Sequence, residues 1–250
     1  MKSGLTRVGG HELEYLLQDQ RSGTAIVFFS GLRAPYDSWK SVYEPLSKSH
    51  TVLAYNRPGI GRSTKPNVKQ DGTRAIADCR QLLKSLSLDP PYVLVGHSIG
   101  GLYANLMARH TPESVSAVVL VESAYPHEEQ RYEGLPRPWI LRAFHGVIGL
   151  VERIRGNTGQ LNEVRFVDRT SSAVESAPPF PPVPVAVVTG EQAMPFVPEE
   201  AVRIHQQCQT EFLNLSPNAR QFMAANSGHV PQLTEPTVVV EAIEWAIRSI

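Results

Sequence analysis

The 250-residue chain predicts an α/β fold: a mostly parallel, doubly wound sheet with helices on both faces. Two observations carry this. Short β-branched apolar runs, at 24–30, 50–55, 92–95, 115–121 and 183–189, alternate with segments of helical spacing at 76–86, 102–109, 199–207 and 238–247. The runs are also close to continuously apolar, which strands need when the sheet is covered on both faces. Val8 and the run 13–17 form a separate pair, because the Gly9-Gly10 turn between them is too short for a helical crossover. This pair is expected at an antiparallel edge. In such sheets ligands bind at the carboxyl ends of the strands.

One block breaks the alternation. Residues 125–182 contain no convincing buried strand, carry Trp139, Phe144, Phe166 and Phe180, and end in the proline-rich run Ala177-Pro178-Pro179-Phe180-Pro181-Pro182. Within it, 139–154 is amphipathic, with Ile140, Leu141, Phe144, Val147, Ile148 and Val151 on one side, a pattern that packing on a domain below explains. The expected organisation is therefore a core of 1–124 and 183–250 with an inserted short helical cap, 125–182.

Composition narrows the function. Lys+Arg and Asp+Glu both number 24, so the formal net charge is zero and no basic footprint for nucleic acid or an anionic membrane is present. Residues 1–20 lack the apolar core of a signal peptide, and the longest apolar runs are strand-sized, which predicts a cytoplasmic chain with no membrane span. Cys79 and Cys208 stand far apart without metal-ligand or redox spacing, so reduced thiols in packed helices are expected, with no metal and no cofactor. A small-molecule ligand fits this balance, and nothing in the sequence sets the oligomeric state.

The chemistry lies in Tyr92-Val93-Leu94-Val95-Gly96-His97-Ser98-Ile99-Gly100-Gly101, an apolar strand that ends in Gly-x-Ser-x-Gly and leads into a helix. A side chain at Gly96 or Gly100 would collide with neighbouring backbone in so tight a turn, so the glycines permit a strained elbow that presents Ser98 as a nucleophile. The turn also leaves the Ile99 N–H at a helix start, where an oxyanion would develop. A serine needs a base. Of eight histidines, His229 in Ser227-Gly228-His229-Val230-Pro231 precedes the final helix, where the chain order Ser, acid, His would place it. His97 is expected to point away from the nucleophile as a packing or hydrogen-bonding residue. His11, His50, His110, His127, His145 and His205 have no such context.

These landmarks resemble the α/β-hydrolase superfamily over nearly the whole chain. The segment Asn56-Arg57-Pro58-Gly59-Ile60-Gly61-Arg62-Ser63 is similar to the family's Asp-x-x-Gly-x-Gly-x-Ser, and Gly228-His229 is followed by Glu235-Pro236. The chain departs from the pattern twice. The oxyanion loop reads Ser30-Gly31-Leu32 in place of the frequent His-Gly, although the Leu32 N–H can still donate. The acid commonly found as Gly-x-x-Asp after the penultimate strand is missing, since Gly190-Glu191-Gln192-Ala193 puts alanine there. Glu122 ends the run Val118-Val119-Leu120-Val121-Glu122, the position that carries the acid in the similar haloalkane dehalogenases; Glu191 is the alternative.

The resemblance implies a serine hydrolase acting on a small carboxylic ester or related acyl compound, with Ser98, His229 and Glu122 as triad and the Leu32 and Ile99 N–H groups as oxyanion hole. It also implies alternatives. The superfamily includes lyases, C–C hydrolases and cofactor-free oxygenases, and a hydrolase-like ligand receptor or signalling protein would carry the same landmarks. Dehalogenases and epoxide hydrolases with an aspartate nucleophile are disfavoured by serine at position 98.

Overall fold

The computed structural model describes residues 2–20, 24–133, 163–193 and 197–250. These residues form one sheet ordered β1-β2-β4-β3-β5-β6-β7-β8. The expected edge is a hairpin of β1 (Lys2–Val8) and β2 (His11–Gln18), in register at Val8 and His11 across the two glycines. Gly9 adopts φ 58°, a conformation that glycine reaches without strain. Strand β2 pairs antiparallel with β4 (Val52–Tyr55), and every later pairing is parallel: β4 with β3 (Ala25–Phe29), β3 with β5 (Tyr92–His97), β5 with β6 (Val115–Val121), β6 with β7 (Val185–Gly190) and β7 with β8 (Ala219–Ala224).

Period-two alternation divides the core. In β5, Leu94 faces α2 (Gly72–Ser85) and α3 (Ile99–His110), packing with Cys79, Leu82 and Leu106. Its neighbours Val93 and Val95 face the other side, with Val42 and Leu46 of α1 (Lys40–Leu46) and Val239 and Ile243 of α8 (Pro236–Arg248). This two-sided burial is what the continuous apolar runs anticipated. Helix α1 and strand β8 have no counterpart in the sequence reading. Strand β8 is Ala-Arg-Gln-Phe-Met-Ala on the sheet edge, half-exposed over most of its length, so it needs no apolar run.

Between β6 and β7, the described residues hold α4 (Glu128–Arg131), a 3-10 turn at Glu163–Phe166 and α5 (Val167–Glu175), with no strand. The amphipathic segment 139–154 lies outside the described residues, as does His145. Helix α5 docks on α2 through glycine: the Gly72 N–H donates to Thr170 Oγ1 at 2.9 Å, and a Cβ on Gly72 would lie 2.7 Å from Thr170 Cγ2. Helix α6 (Glu199–Glu211) and the short α7 (Pro231–Thr234) complete the helices among the described residues. Cys79 and Cys208 are buried free thiols on α2 and α6. No helix among the described residues is long and apolar enough to cross a membrane.

The start of α3 is wedged against β3. A Cβ on Gly100 would press into the carbonyl oxygens of Phe29 and Ser30, and one on Gly96 into the carbonyl of Gly100. These obstacles are backbone and cannot rotate aside. Gly100→Ala is therefore expected to lower stability by about 1–3 kcal/mol, the usual range for overpacking, as a reduced urea midpoint at unchanged slope. An unchanged midpoint would mean that α3 can slide off β3 freely.

Candidate active site

Ser98 stands between β5 and α3 with φ 53° and ψ −123°. A non-glycine residue holds such angles only where its surroundings enforce them. Here the Ser98 N–H donates to the Val121 carbonyl at 3.2 Å, and its own carbonyl accepts from Gly101 at 2.9 Å and Ala124 at 3.0 Å. The elbow is thus pinned to the end of β6 as well as to its own helix. The residue next to β6 is pinned too: Glu122 has φ 44°, and its N–H donates to Val188 at 2.8 Å.

Glu122 is only 3 % exposed, so its carboxylate is not solvated at a strand end. Three donors converge on it. The Gly190 N–H reaches Oε1 at 2.7 Å, while His229 Nδ1 and His205 Nε2 both reach Oε2, at 3.3 and 3.0 Å. Burial pushes the Glu122 pKa up, but the hydrogen bonds from His205, His229 and Gly190, with the His205 charge, outweigh it and hold the group at about 2. The loop that carries His229 is brought in by a second close approach, since a Cβ on Gly190 would strike the Gly228 carbonyl. Glu191, the alternative acid, is exposed at the end of β7; its backbone N–H donates to Ala224 at 3.1 Å, and its carboxylate makes no contact with His229.

His97 and His205 contrast sharply. His97 is buried and its Nε2 lies 2.7 Å from the His229 carbonyl, which can only accept, so Nε2 carries the proton. Its Nδ1 has no partner among the described residues and faces Gly31, where a Cβ would lie 2.6 Å away. Burial, with the nearby His229, pushes its pKa down to about 3, so it is neutral. His205 has no motif context in the sequence, yet its Nε2 meets Glu122 and its Nδ1 meets Glu128 Oε1 at 2.7 Å. Burial opposes its charge, but the two carboxylates raise its pKa to about 10. A signal was present: His205 precedes the buried Cys208 and Gln209 by three and four residues and so lies on the packed face of α6.

The loop 30–33 after β3 adjoins the elbow, with a Cβ on Gly31 falling 3.5 Å from Ser98 Cβ. Neither the Leu32 nor the Ile99 N–H donates to another described residue, and Ile99 opens α3, where the first N–H groups lack helical partners. The loop is clamped from behind. Arg57 donates from Nη1 to Ser30 O at 2.8 Å and from Nη2 to Gly31 O at 2.7 Å, while its Nε pairs with Glu163 Oε2 at 2.6 Å. Glu163 Oε1 in turn accepts the Arg33 N–H at 2.7 Å. Burial works against the Arg57 charge, yet the adjoining Glu163 carboxylate raises its pKa above the ordinary arginine value.

Among the described residues, one group of His, Cys, Asp and Glu comes near enough to hold a metal ion: Glu122, His205 and His229, with one candidate atom each within 4.8 Å of the others. His205 is committed through both nitrogens to carboxylates, which makes this arrangement an ion-pair network.

The buried ionisations predict a two-sided stability profile. Folded His97 refuses a proton that the unfolded chain takes, so stability is full above its ordinary pKa of 6.5 and falls as pH drops toward 3. Glu122 adds to that loss between 4.5 and about 2. Folded His205 keeps a proton that the unfolded chain releases; its contribution is full below 6.5 and disappears as pH rises through about 10. Each proton gives a slope of about 1.4 kcal/mol per pH unit in these windows. Denaturation as a function of pH should show His97→Gln flattening the acid side and His205→Gln the alkaline side. An alkaline limb unchanged in His205→Gln would contradict the charge assigned to His205.

Residues 24–180 match the family model described as the alpha/beta hydrolase fold. Over 103 residues the chain is 29% identical to the uncharacterized protein YqjL of Bacillus subtilis, which covers 41% of each protein. Over 174 residues it is 27% identical to the 2-hydroxy-6-oxo-6-(2'-aminophenyl)hexa-2,4-dienoic acid hydrolase of Metapseudomonas resinovorans, covering 68% of this chain and 59% of that one. The chain thus spans less than two thirds of the length of these curated relatives. A thermophilic esterase from Thermogutta terrifontis superposes with a TM-score of 0.67 over 99% of this chain and 98% of that one, at 18% identity, a likeness of fold.

Proposed function

The chain belongs to the α/β-hydrolase family, and on that premise we propose that it is a serine hydrolase cleaving a small carboxylic ester or related acyl compound. The observation that carries this reading is the contact of His229 Nδ1 with Glu122 Oε2 at 3.3 Å, in a chain whose strained elbow presents Ser98. With Nδ1–H donated to the carboxylate, the His229 Nε2 lone pair is left for the serine proton.

Ser98 Oγ attacks the acyl carbon as its proton passes to His229 Nε2. The oxyanion is received by the Leu32 and Ile99 N–H groups, whose loop the Arg57–Glu163 pair holds. Collapse breaks the bond to the leaving group, which takes the proton from His229. Water then attacks the acyl-enzyme with His229 as base, and the carboxylic acid leaves. Glu122 stays ionised and steadies the imidazolium that forms in each half-reaction. The span 125–182 serves as the cap over this site.

A second reading, hydrolysis of a hydroxy-oxo-dienoic acid of the kind named for the relative from Metapseudomonas resinovorans, is the runner-up. Rates on a panel of p-nitrophenyl esters, lactones and a vinylogous diketo acid separate the two.

Ser98→Ala is expected to abolish fluorophosphonate labelling and to lower ester turnover by about 10⁶-fold, with thermal stability close to that of the parent. Label recovered on another residue would remove Ser98 from the role. Glu122→Gln keeps the shape of the acid but withdraws its charge, so turnover should fall by about 10⁴-fold, while Glu191→Gln leaves it within a few-fold. The reverse ranking would transfer the acid to the end of β7.

A further inference from the structure

The acid that orients His229 is shared. Glu122 Oε2 receives His205 Nε2 at 3.0 Å, nearer than His229 Nδ1 at 3.3 Å, and the rings of the two histidines stand 6.4 Å apart. His205 is itself held from behind by Glu128 Oε1 at 2.7 Å. Glu128 is fixed in turn by the Tyr132 hydroxyl and by the Tyr125 N–H at 3.2 Å. An ionised carboxylate only accepts, so a histidine bonded to one through each nitrogen carries both protons and a positive charge. Three elements meet here, the end of β6, α4 and α6, and none of this pairing is needed to bury apolar surface.

We propose that His205 is a positioning residue for the hydrolytic site, a charged second donor that fixes the Glu122 carboxylate and withholds part of its negative charge from His229. The proposal rests on the triad reading given above. His229 then meets a carboxylate already half-neutralised, with a cation about 6 Å away, so its imidazolium is less favoured than beside a lone acid. The ionisable groups facing His205 are Glu122 from β6, Glu128 from α4 and His229 from the loop before α7. Farther along α6 lie Cys208 and Glu211, the latter paired with Arg131 of α4. His205→Gln keeps a neutral donor near the Nε2 position and removes the charge; His205→Lys restores a cation.

The test is a ¹³C-histidine NMR titration of the intact chain, with His229 assigned through His229→Gln, alongside the pH profile of kcat/KM on a p-nitrophenyl ester. In the parent, the His205 ring should stay protonated through pH 8. In His205→Gln the pH dependence of the His229 ring signals and the acid limb of kcat/KM should both move to higher pH. His205→Lys should return both toward the parent. A His229 titration unchanged in His205→Gln would reduce His205 to scaffolding, and a parent His205 ring found neutral at pH 7 would overturn the proposal even if the variants fail to fold. The NMR arm needs no turnover. If Ser98 takes no fluorophosphonate label, the hydrolase reading falls while the coupling between His205 and His229 is still measured.

Discussion

The site hangs on one buried carboxylate. Removing an ionised glutamate from water costs several kcal/mol unless donors replace the lost hydration, and Glu122 finds three. Each comes from a different part of the chain: the Gly190 N–H from the end of β7, His205 from α6, and His229 from the loop before α7. The parallel register of β6 on β7, Val121 beside Val188, sets the first of these, because it leaves Gly190 just beyond the strand end where Glu122 turns out of the sheet. The positive φ at Glu122 belongs to the same arrangement. A residue continuing β6 in extended conformation would not turn toward β7, and the strain is sustained by bonds on both sides of the peptide.

Two buried histidines of the site, His97 and His205, ionise oppositely, which shows that partners, more than burial, decide charge. His97 is the more deeply buried and touches a carbonyl, which stabilises an N–H but offers little to a cation, so the ring stays neutral. His205 loses less water and meets two carboxylates, so it stays charged. The neutral ring is the one adjacent to Ser98 in the chain. A cation at His97 would lie against the His229 ring, 5.0 Å away between centroids. The cation instead stands on the far side of Glu122, where it is compensated by Glu128.

What the sequence made legible is local. The elbow is encoded in consecutive residues, so Gly96, Ser98 and Gly100 announced the turn, and the continuous runs announced β3, β4, β5, β6 and β7. Glu122 stands out because it ends such a run, directly after Val121, at the position where the similar haloalkane dehalogenases carry an acid. The rest depends on distant chain meeting in space. His205 reaches Glu122 across 83 residues, and Arg57 reaches Glu163 across 106, so no spacing rule connects them. Strand β8 escaped for a different reason: on the sheet edge it is half-exposed, and its Arg220 and Gln221 hide the strand in a polar sequence. Helix α6 was recognised by its spacing, yet a histidine on its packed face reads as a mere interruption until a carboxylate is known to face it.

The Arg57–Glu163 pair extends this logic to the other wall of the site. A buried ion pair seldom stabilises a fold better than apolar groups of the same volume would, so its presence calls for a geometric reason. Here the guanidinium fork is used on both edges: one receives Glu163, and the other holds the consecutive carbonyls of Ser30 and Gly31. Fixing two successive carbonyls fixes the peptide planes between them, and with those the direction of the Leu32 N–H. Glu163 closes the ring by accepting the Arg33 N–H, so the loop is held before and after Leu32. The carboxylate that does this opens the 3-10 turn Glu163–Phe166, directly before α5. One ion pair thus ties the loop after β3 to the 3-10 turn before α5, 106 residues along the chain from Arg57.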